Sequence, residues 1–299
     1  MNAPLSVDVH VRHDASRLGR HLALRDFNHE RLTPGAAVAN VDQELQLEYE
    51  FRLREARFVE EERLLVAAEV ASVPTSADAF VAWFEALKER GPGQGDALFP
   101  WLAEHATLEE MRWFLGQEVA GEAGFDDLVA MTQVKLPVVP KLELARNYWD
   151  EMGQGRASAM HGPMLERLSG ELSLEGAYEP VWESLALGNL MIALATNRRY
   201  TYQSVGALGA IELTAPGRAA LVNAGLKRLG IAGEARRYFA LHATLDVRHS
   251  EAWNREVLHP LVAADGRLAP LIAEGALMRL HAGARCFERY RRELDLALH

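Results

Sequence analysis

The sequence predicts an all-α protein, and three observations support this prediction. Strong helix formers and apolar residues recur with helical periodicity between a few clusters of proline and glycine. The alternation of apolar and polar residues that is typical of strands is almost absent. The chain has 299 residues, of which 49% are hydrophobic, so it can build a sizeable core. We therefore expect a helical bundle with short connections.

The first 95 residues are expected to precede the main domain. Residues 1–40 mix His, Arg, Asp and Pro with little pattern, which predicts a loosely ordered arm. Residues 41–71 are rich in strong helix formers and predict one long charged helix, and a further helix is expected over 76–88. The GPGQGD segment at 91–96 is the clearest linker signal. The predicted units are an arm at 1–40, accessory helices at 41–95 and the main domain at 96–299.

The main domain contains eight segments with helical periodicity. Pro216 is expected to end the fifth of them, because proline lacks the N–H that a helix interior needs. The predicted helices lie near residues 107–123, 140–152, 157–170, 179–197, 200–214, 215–229, 232–256 and 268–296.

Composition excludes several classes of protein. The formal net charge of −10 argues against a nucleic-acid partner or an anionic membrane partner, both of which favour a basic surface. A single cysteine, Cys286, excludes a disulfide framework and a Cys-based zinc site. The sequence has no run of about 18 apolar residues, no signal-peptide pattern at its start and no common nucleotide-binding or hydrolase fingerprint. We therefore expect a cytoplasmic protein that works without membrane or nucleic acid.

The segment RRYFALHATLDVRHSEAWNRE carries the most informative pattern. On a helix, His242, Asp246 and His249 follow one another at spacings of four and three residues, on the same stripe as Phe239 and Trp253. Burying an aspartate with two imidazoles is costly unless these groups are paired or bound to a metal. The pattern therefore favours a metal site, and a buried His–Asp–His network without metal is the alternative.

Three other helices continue an apolar stripe into a carboxylate. These residues are Glu118, with Glu122 one turn further, Glu151 and Glu212. His161 follows Glu151 by ten residues, after a glycine-containing turn. Each carboxylate alone is more typical of a solvated helix end. Together with the histidine helix, however, they are difficult to bury except around cations.

The residue types indicate which metal is expected. Carboxylates and imidazoles without thiolates suit iron or manganese, and three histidines with four carboxylates exceed what one ion needs. The sequence therefore predicts a dinuclear centre. Its candidate ligands are Glu118, Glu151, His161, Glu212, His242, Asp246 and His249.

Residues from about 100 to 260 resemble the haem-oxygenase-like diiron oxidases and oxygenases, a group also described as iron-containing redox enzymes. The resemblance depends on DEMGQGRASAMH, LGAIELTAP and YFALHATLDVRH, which give Glu-x9-His, a later helix Glu and His-x3-Asp-x2-His in that order. It implies a bundle of about seven core helices with extra N-terminal helices. It also implies that Glu118 is the ligand of the first core helix, with Glu122 as the alternative, and that Glu212 is an additional carboxylate.

The resemblance implies an O2-activating enzyme with two Fe(II) ions, the second of them labile, and an external electron donor. We expect a small-molecule substrate, with N-oxygenation of an amine or amino acid as the best interpretation. Oxidative C–C cleavage, desaturation or decarboxylation of an amino or fatty acid is the alternative. A ferritin-like site is disfavoured, because only Glu256 and His259 have its Glu-x-x-His spacing and Pro260 follows directly.

A helical scaffold that binds no metal is the alternative from another class. The charged helix at 41–71 and the terminal helix at 268–296 would then provide an oligomer interface, and a homodimer is expected in either case. Three arginines near the predicted Glu212 ligand are either surface residues or binders of a substrate carboxylate. They are Arg198, Arg199 and Arg218.

Overall fold

A computed structural model describes residues 5–35 and 40–296, with side chains from residue 14 onward. Within these residues the chain forms fourteen α-helices and no strand, which confirms the all-α prediction. The helices are α1 (Leu5–Leu32), α2 (Val41–Val70), α3 (Ala77–Glu85), α4 (Leu87–Arg90), α5 (Leu98–Glu104), α6 (Leu108–Ala120), α7 (Phe125–Thr132), α8 (Val138–Glu151), α9 (His161–Glu171), α10 (Trp182–Thr196), α11 (Thr201–Arg228), α12 (Arg237–Trp253), α13 (His259–Ala264) and α14 (Leu268–Glu293).

The N-terminal segment differs from its prediction. Residues 5–32 form the helix α1 rather than a loosely ordered arm, and α1 packs on α10. Leu24 and Phe27 are the buried apolar side chains of α1, and polar residues complete its packing: Asn28 donates to Asn189 Oδ1 at 3.0 Å, and Asn189 donates to the His21 carbonyl at 2.9 Å. The apolar stripe of α1 is therefore thin, so hydrophobic periodicity did not identify the helix. Residues 1–4 and 36–39 of the predicted arm lie outside the described residues.

Helix α11 is the centre of the bundle and contacts α5, α10, α12 and α14. It runs without a break through Pro216, so the predicted helix end at this residue is wrong. Packing from several sides holds the helix together despite the missing N–H donor. As a consequence, Glu212 lies in the middle of a helix and is buried.

The predicted helix at 232–256 begins later than expected, and α12 passes into a π-helical turn at Asn254–Leu258. The predicted helix over 76–88 divides into α3 and α4. One helical stretch of the described chain, Arg198–Arg228, is long and apolar enough to span a membrane. Since 67% of its most apolar window is buried inside the protein, it has the character of a core helix.

Helices α11 and α14 are in direct backbone contact. A Cβ atom added to Gly206 would lie 1.8 Å from the carbonyl oxygen of Ile272, and one added to Gly275 would lie 1.7 Å from that of Gln203. Both positions therefore require glycine, because any side chain would push the two helices apart.

Replacing Gly206 with alanine is expected to lower the free energy of unfolding by about 3 kcal/mol, because the backbone cannot move away without repacking the core. Urea denaturation followed by circular dichroism measures the change. Gly217→Ala is the matched control, since Gly217 lies on the same helix with no atom within 4 Å of its added Cβ. This control is expected to stabilise the protein by about 0.5–1 kcal/mol through helix propensity. Equal effects of the two substitutions would contradict the close contact.

Candidate metal centre

Four helices bring six of the sequence-predicted ligands to one place in the bundle. Glu151 is the last residue of α8 and His161 is the first residue of α9. Glu212 is in the middle of α11, and the other three lie along one side of α12. Five of the six are buried and the sixth is half-buried, as the helical periodicity predicted. They are Glu151, His161, Glu212, His242, Asp246 and His249.

Two groups of three residues have ligand atoms that all lie within 4.8 Å of one another. One group contains Glu151, His161 and His242, and the other contains Glu151, Glu212 and His249. Glu151 belongs to both. This arrangement fits two cations with one carboxylate between them.

Unsatisfied polar atoms support the same interpretation. Nδ1 of His161 lies 2.5 Å from Oε2 of Glu151, yet neither ring nitrogen of His161 makes a hydrogen bond within the described part of the chain. Oδ1 of Asp246 and Nδ1 of His249 are also buried without a hydrogen-bond partner. Buried polar groups are normally satisfied, and a cation would satisfy these.

The turn between α8 and α9 places His161 beside Glu151. Gly153, Gln154 and Gly155 have φ values of 60°, 54° and 81°, so three consecutive residues adopt the left-handed region. A Cβ on Gly153 would lie 2.4 Å from the carbonyl carbon of Ala159, which only glycine avoids. The sharp reversal brings two residues that are ten positions apart into contact.

The histidines of α12 are oriented by neighbouring oxygens. Nδ1 of His242 lies 2.7 Å from the carbonyl oxygen of Tyr238, so it carries the proton and leaves Nε2 free as a ligand. Nε2 of His249 lies 3.2 Å from Oδ2 of Asp150, which leaves Nδ1 facing Glu212 Oε2 at 3.4 Å.

Sequence analysis missed two residues that support the site. Asp150 orients His249, and Asn147 donates from Nδ2 to Oε1 of Glu212 at 2.5 Å. Asn147 lies one turn before Glu151 on α8, and that spacing is the only sequence signal for it. Asp150 carries no such signal, because an aspartate next to a ligand is equally typical of a solvated helix end.

The electrostatics of the cluster favour a bound cation. Burial, reinforced by the charge of Glu212, raises the pKa of Glu151 well above its ordinary value. Burial and the nearby Glu212 and Glu151 charges also raise the pKa of Asp246. Burial lowers the pKa of His161 and of His242 to about 4, so both imidazoles are neutral, which is the form that binds metals. Without a cation, burial therefore favours the protonated form of the Glu151 and Asp246 carboxyl groups.

Glu118 and Glu122 lie apart from the two ligand groups. Both line the cavity that adjoins the cluster, but neither belongs to a group that could hold a metal. Glu122 Oε1 accepts from the backbone N–H groups of Ala123 and Gly124 at 3.1 and 2.9 Å. Burial raises the pKa of both carboxyl groups. The assignment of Glu118 as a first-helix ligand therefore stays a prediction.

The cavity has a volume of about 180 Å³ and extends from the cluster between α6, α11, α12 and α14. Glu151, Glu212 and His242 line one end, and two arginines, Arg218 and Arg279, line another part. Its remaining wall is mostly apolar and includes the side chains of Phe99, Phe114, Leu187, Met191, Phe239 and Phe287. A small organic molecule would therefore have access to the cluster.

Comparison with models of protein families identifies a match. A family model described as an iron-containing redox enzyme matches residues 112–284, which is more than half of the chain and includes all six clustered residues. The all-α bundle is consistent with the haem-oxygenase-like fold expected from the sequence. A search of curated proteins gave no match.

Proposed function

The chain belongs to the iron-containing redox enzyme family, and from this premise we propose that it is an O2-dependent oxidase or oxygenase with two non-haem irons. The observation that carries the proposal is that Glu151 is shared between two groups of buried ligand atoms. Carboxylates with imidazoles and no thiolate suit iron, and the shared carboxylate gives a reason for two ions rather than one.

Each group would hold one iron. His161 and His242 would bind the first ion, and Glu212 and His249 the second, with Glu151 between them. Asp246 belongs to neither group, but its Oδ1 is buried without a hydrogen-bond partner in the described part of the chain, and it would complete the donor set. When bound, two Fe(II) ions supply the electrons that begin the reduction of O2.

The protein's own residues prepare the site for that chemistry. The Tyr238 carbonyl and the Asp150 carboxylate orient His242 and His249, so that the other ring nitrogen of each histidine is directed to the cluster. Burial of Glu151 and Glu212 keeps bulk water away from the cluster. The cavity beside the cluster would hold the substrate in a largely apolar environment.

We propose N-oxygenation of an amine or amino acid as the reaction. Oxidative C–C cleavage, desaturation or decarboxylation of an amino or fatty acid is the second candidate. A separate reductase or small reductant would return the electrons, since the sequence has no flavin or nicotinamide fingerprint. Leu64 and Leu65 on α2 are 76% and 64% exposed, and these apolar side chains support the proposal of a homodimer. We also propose that the enzyme is cytoplasmic.

Anaerobic titration with Fe(II) followed by mixing with O2 tests the proposal. We expect uptake of about two irons per chain and a transient visible absorbance on mixing, with both reduced in His242→Ala. His259→Ala is the matched control, because His259 bonds Asp78 at 3.1 Å near the protein surface and should not bind iron. Iron uptake at background level would refute the proposal and favour a metal-free His–Asp network in a scaffold.

A further inference from the structure

Arg279 on α14 forms no ion pair within the described part of the chain. It is half-buried and lines the cavity, and its Nε is buried without a hydrogen-bond acceptor. Among residues 14–35 and 40–296, no carboxylate oxygen lies within 4.0 Å of its guanidinium group. Burying a cationic group without a counter-ion is strongly unfavourable in free energy, so a bound anion would stabilise Arg279 in this position.

Arg218 on α11 lines the same cavity and has no carboxylate at ion-pair distance either. Its Nη2 donates to Thr214 Oγ1 at 3.0 Å, and its guanidinium carbon lies 5.8 and 5.5 Å from the ring centres of Phe99 and Phe287. Burial and the charge of Arg279 lower the pKa of Arg218 to about 10. Two guanidinium groups therefore face one cavity and repel each other.

Glu118 is the carboxylate whose charge acts on both arginines, but it does not neutralise them. It forms no ion pair with either arginine within 4.0 Å. Glu122 also lines the cavity, and its charge also acts on Arg279, but among the described side chains neither carboxylate lies at ion-pair distance from either arginine. At this end of the cavity a bound anion would supply the direct partner that neither glutamate provides to the two guanidinium groups.

The arginines are separated from the ligand cluster by an apolar stretch of the cavity. Arg218 follows Glu212 by six residues on α11, which corresponds to about 9 Å along the helix axis. Ala215 and Ala219 line the cavity along this part of α11, and Phe239 faces it from α12. A molecule whose anionic group binds the arginines would therefore extend its other end towards Glu151 and His242.

We propose that Arg279, with Arg218 beside it, binds the carboxylate of the substrate. Guanidinium groups bind carboxylates through paired, charge-assisted hydrogen bonds, and the apolar wall suits the body of a short organic acid. A dry cavity of about 150 Å³ holds benzene, so this one suits an acid of about six carbons. The inference rests on the proposed function for the chemistry at the far end, and it favours amino or fatty acids that are oxidised at the end away from the carboxylate over simple amines.

Calorimetric titration of the metal-free protein tests the proposal without any turnover. The probes are hexanoate, norleucine and the neutral analogue hexanamide. We expect the better of the two acids to bind at least about tenfold more tightly than hexanamide, because only the acids pair with the guanidinium groups. Tighter binding of norleucine would assign the site to amino acids, and tighter binding of hexanoate to fatty acids.

Variants identify the residue responsible. Arg279→Gln is expected to lower the affinity for the acid at least about tenfold while the melting temperature stays the same or rises, because an unpaired buried charge is removed. Arg248→Gln is the control, since Arg248 is exposed on α12. Failure of both acids to bind, equal binding of hexanamide, or unchanged affinity in Arg279→Gln would overturn the proposal.

The acid-binding experiments and the iron-uptake experiment test the two proposals separately. Iron uptake by a protein that binds neither acid would overturn the carboxylate site and leave the diiron proposal standing. Acid binding that depends on Arg279, without iron uptake, would establish the carboxylate site and remove the diiron proposal.

Discussion

Replacing Glu151 with alanine is expected to abolish the binding of both irons, whereas His242→Ala and His249→Ala each remove one. The difference follows from the position of Glu151 in both ligand groups, while each histidine belongs to one. Loss of one ligand among three or four severely lowers the affinity for the ion that it binds. Loss of the shared ligand lowers the affinity for both ions. Anaerobic equilibrium dialysis against Fe(II), followed by colorimetric iron analysis, measures the stoichiometry of each variant.

Glu143→Gln is the matched control for the Glu151 variant. Glu143 is also buried on α8, but it pairs with Arg146 and belongs to neither ligand group. Its substitution is expected to leave iron stoichiometry unchanged. Retention of one tightly bound iron by Glu151→Ala would show that the carboxylate is not shared, and the two groups would then have to be independent sites.

Asp246→Asn is expected to stabilise the metal-free protein, raising its free energy of unfolding at pH 8 on the order of 2 kcal/mol. Asp246 is buried near Glu212 and Glu151, and burial together with these charges raises its pKa. The folded protein must therefore keep this carboxyl group protonated, which is unfavourable at pH 8. An asparagine amide needs no proton, so the penalty disappears.

The sign of the pH dependence follows from the raised pKa. A carboxyl group that binds its proton more tightly in the folded state stabilises the fold fully below its unfolded pKa of 3.8, and this contribution is lost as the pH rises towards the folded value. The pKa values of His161 and His242 are lowered by burial to about 4, so their contributions to stability change only below about pH 6.5. Against the opposing effect of burial, hydrogen bonds to Glu212 and Asp150 raise the pKa of His249 to about 9, so its contribution is lost between pH 6.5 and 9, but it is present in both proteins. Between pH 7 and 9, the stability of the metal-free protein should fall more steeply than that of Asp246→Asn.

Urea denaturation of chelator-treated protein at several pH values measures this difference. Glu251→Gln is the control, because Glu251 is an exposed carboxylate on the same helix and its substitution should change stability by less than about 0.5 kcal/mol. A stability profile that is identical in Asp246→Asn and the unmodified protein would show that Asp246 is not held protonated.

Much of the site was predictable because helical periodicity reports which face of a helix is buried. The His242, Asp246 and His249 stripe and the inward position of Glu212 both follow from spacing alone. Helical periodicity predicts burial less well at a helix end, where a side chain can turn either to the core or to solvent. Glu118, two residues before the end of α6, illustrates this limit, since it lies in the cavity but outside both ligand groups.

The fold was less predictable where long-range packing overrides local preference. Pro216 favours a helix end, but contacts on several sides of α11 maintain the helix through it. Helix α1 packs through Asn28 and Asn189, whose complementarity is visible only when the two helices are in contact. Asn147 and Asp150 were missed for the same reason, because their partners come from distant helices.

The backbone contact at Gly206 and Gly275 has a consequence for substrate choice. It joins α11 and α14 into one rigid pair, in which Glu212 and Arg218 belong to one helix and Arg279 to the other. The distance from the arginines to the ligand cluster is then set by the scaffold rather than by the molecule that binds. This fixed distance would select the chain length of the substrate. The reactive atom of an acid one methylene too short would not reach the ligand cluster, so selectivity for chain length would follow from helix packing.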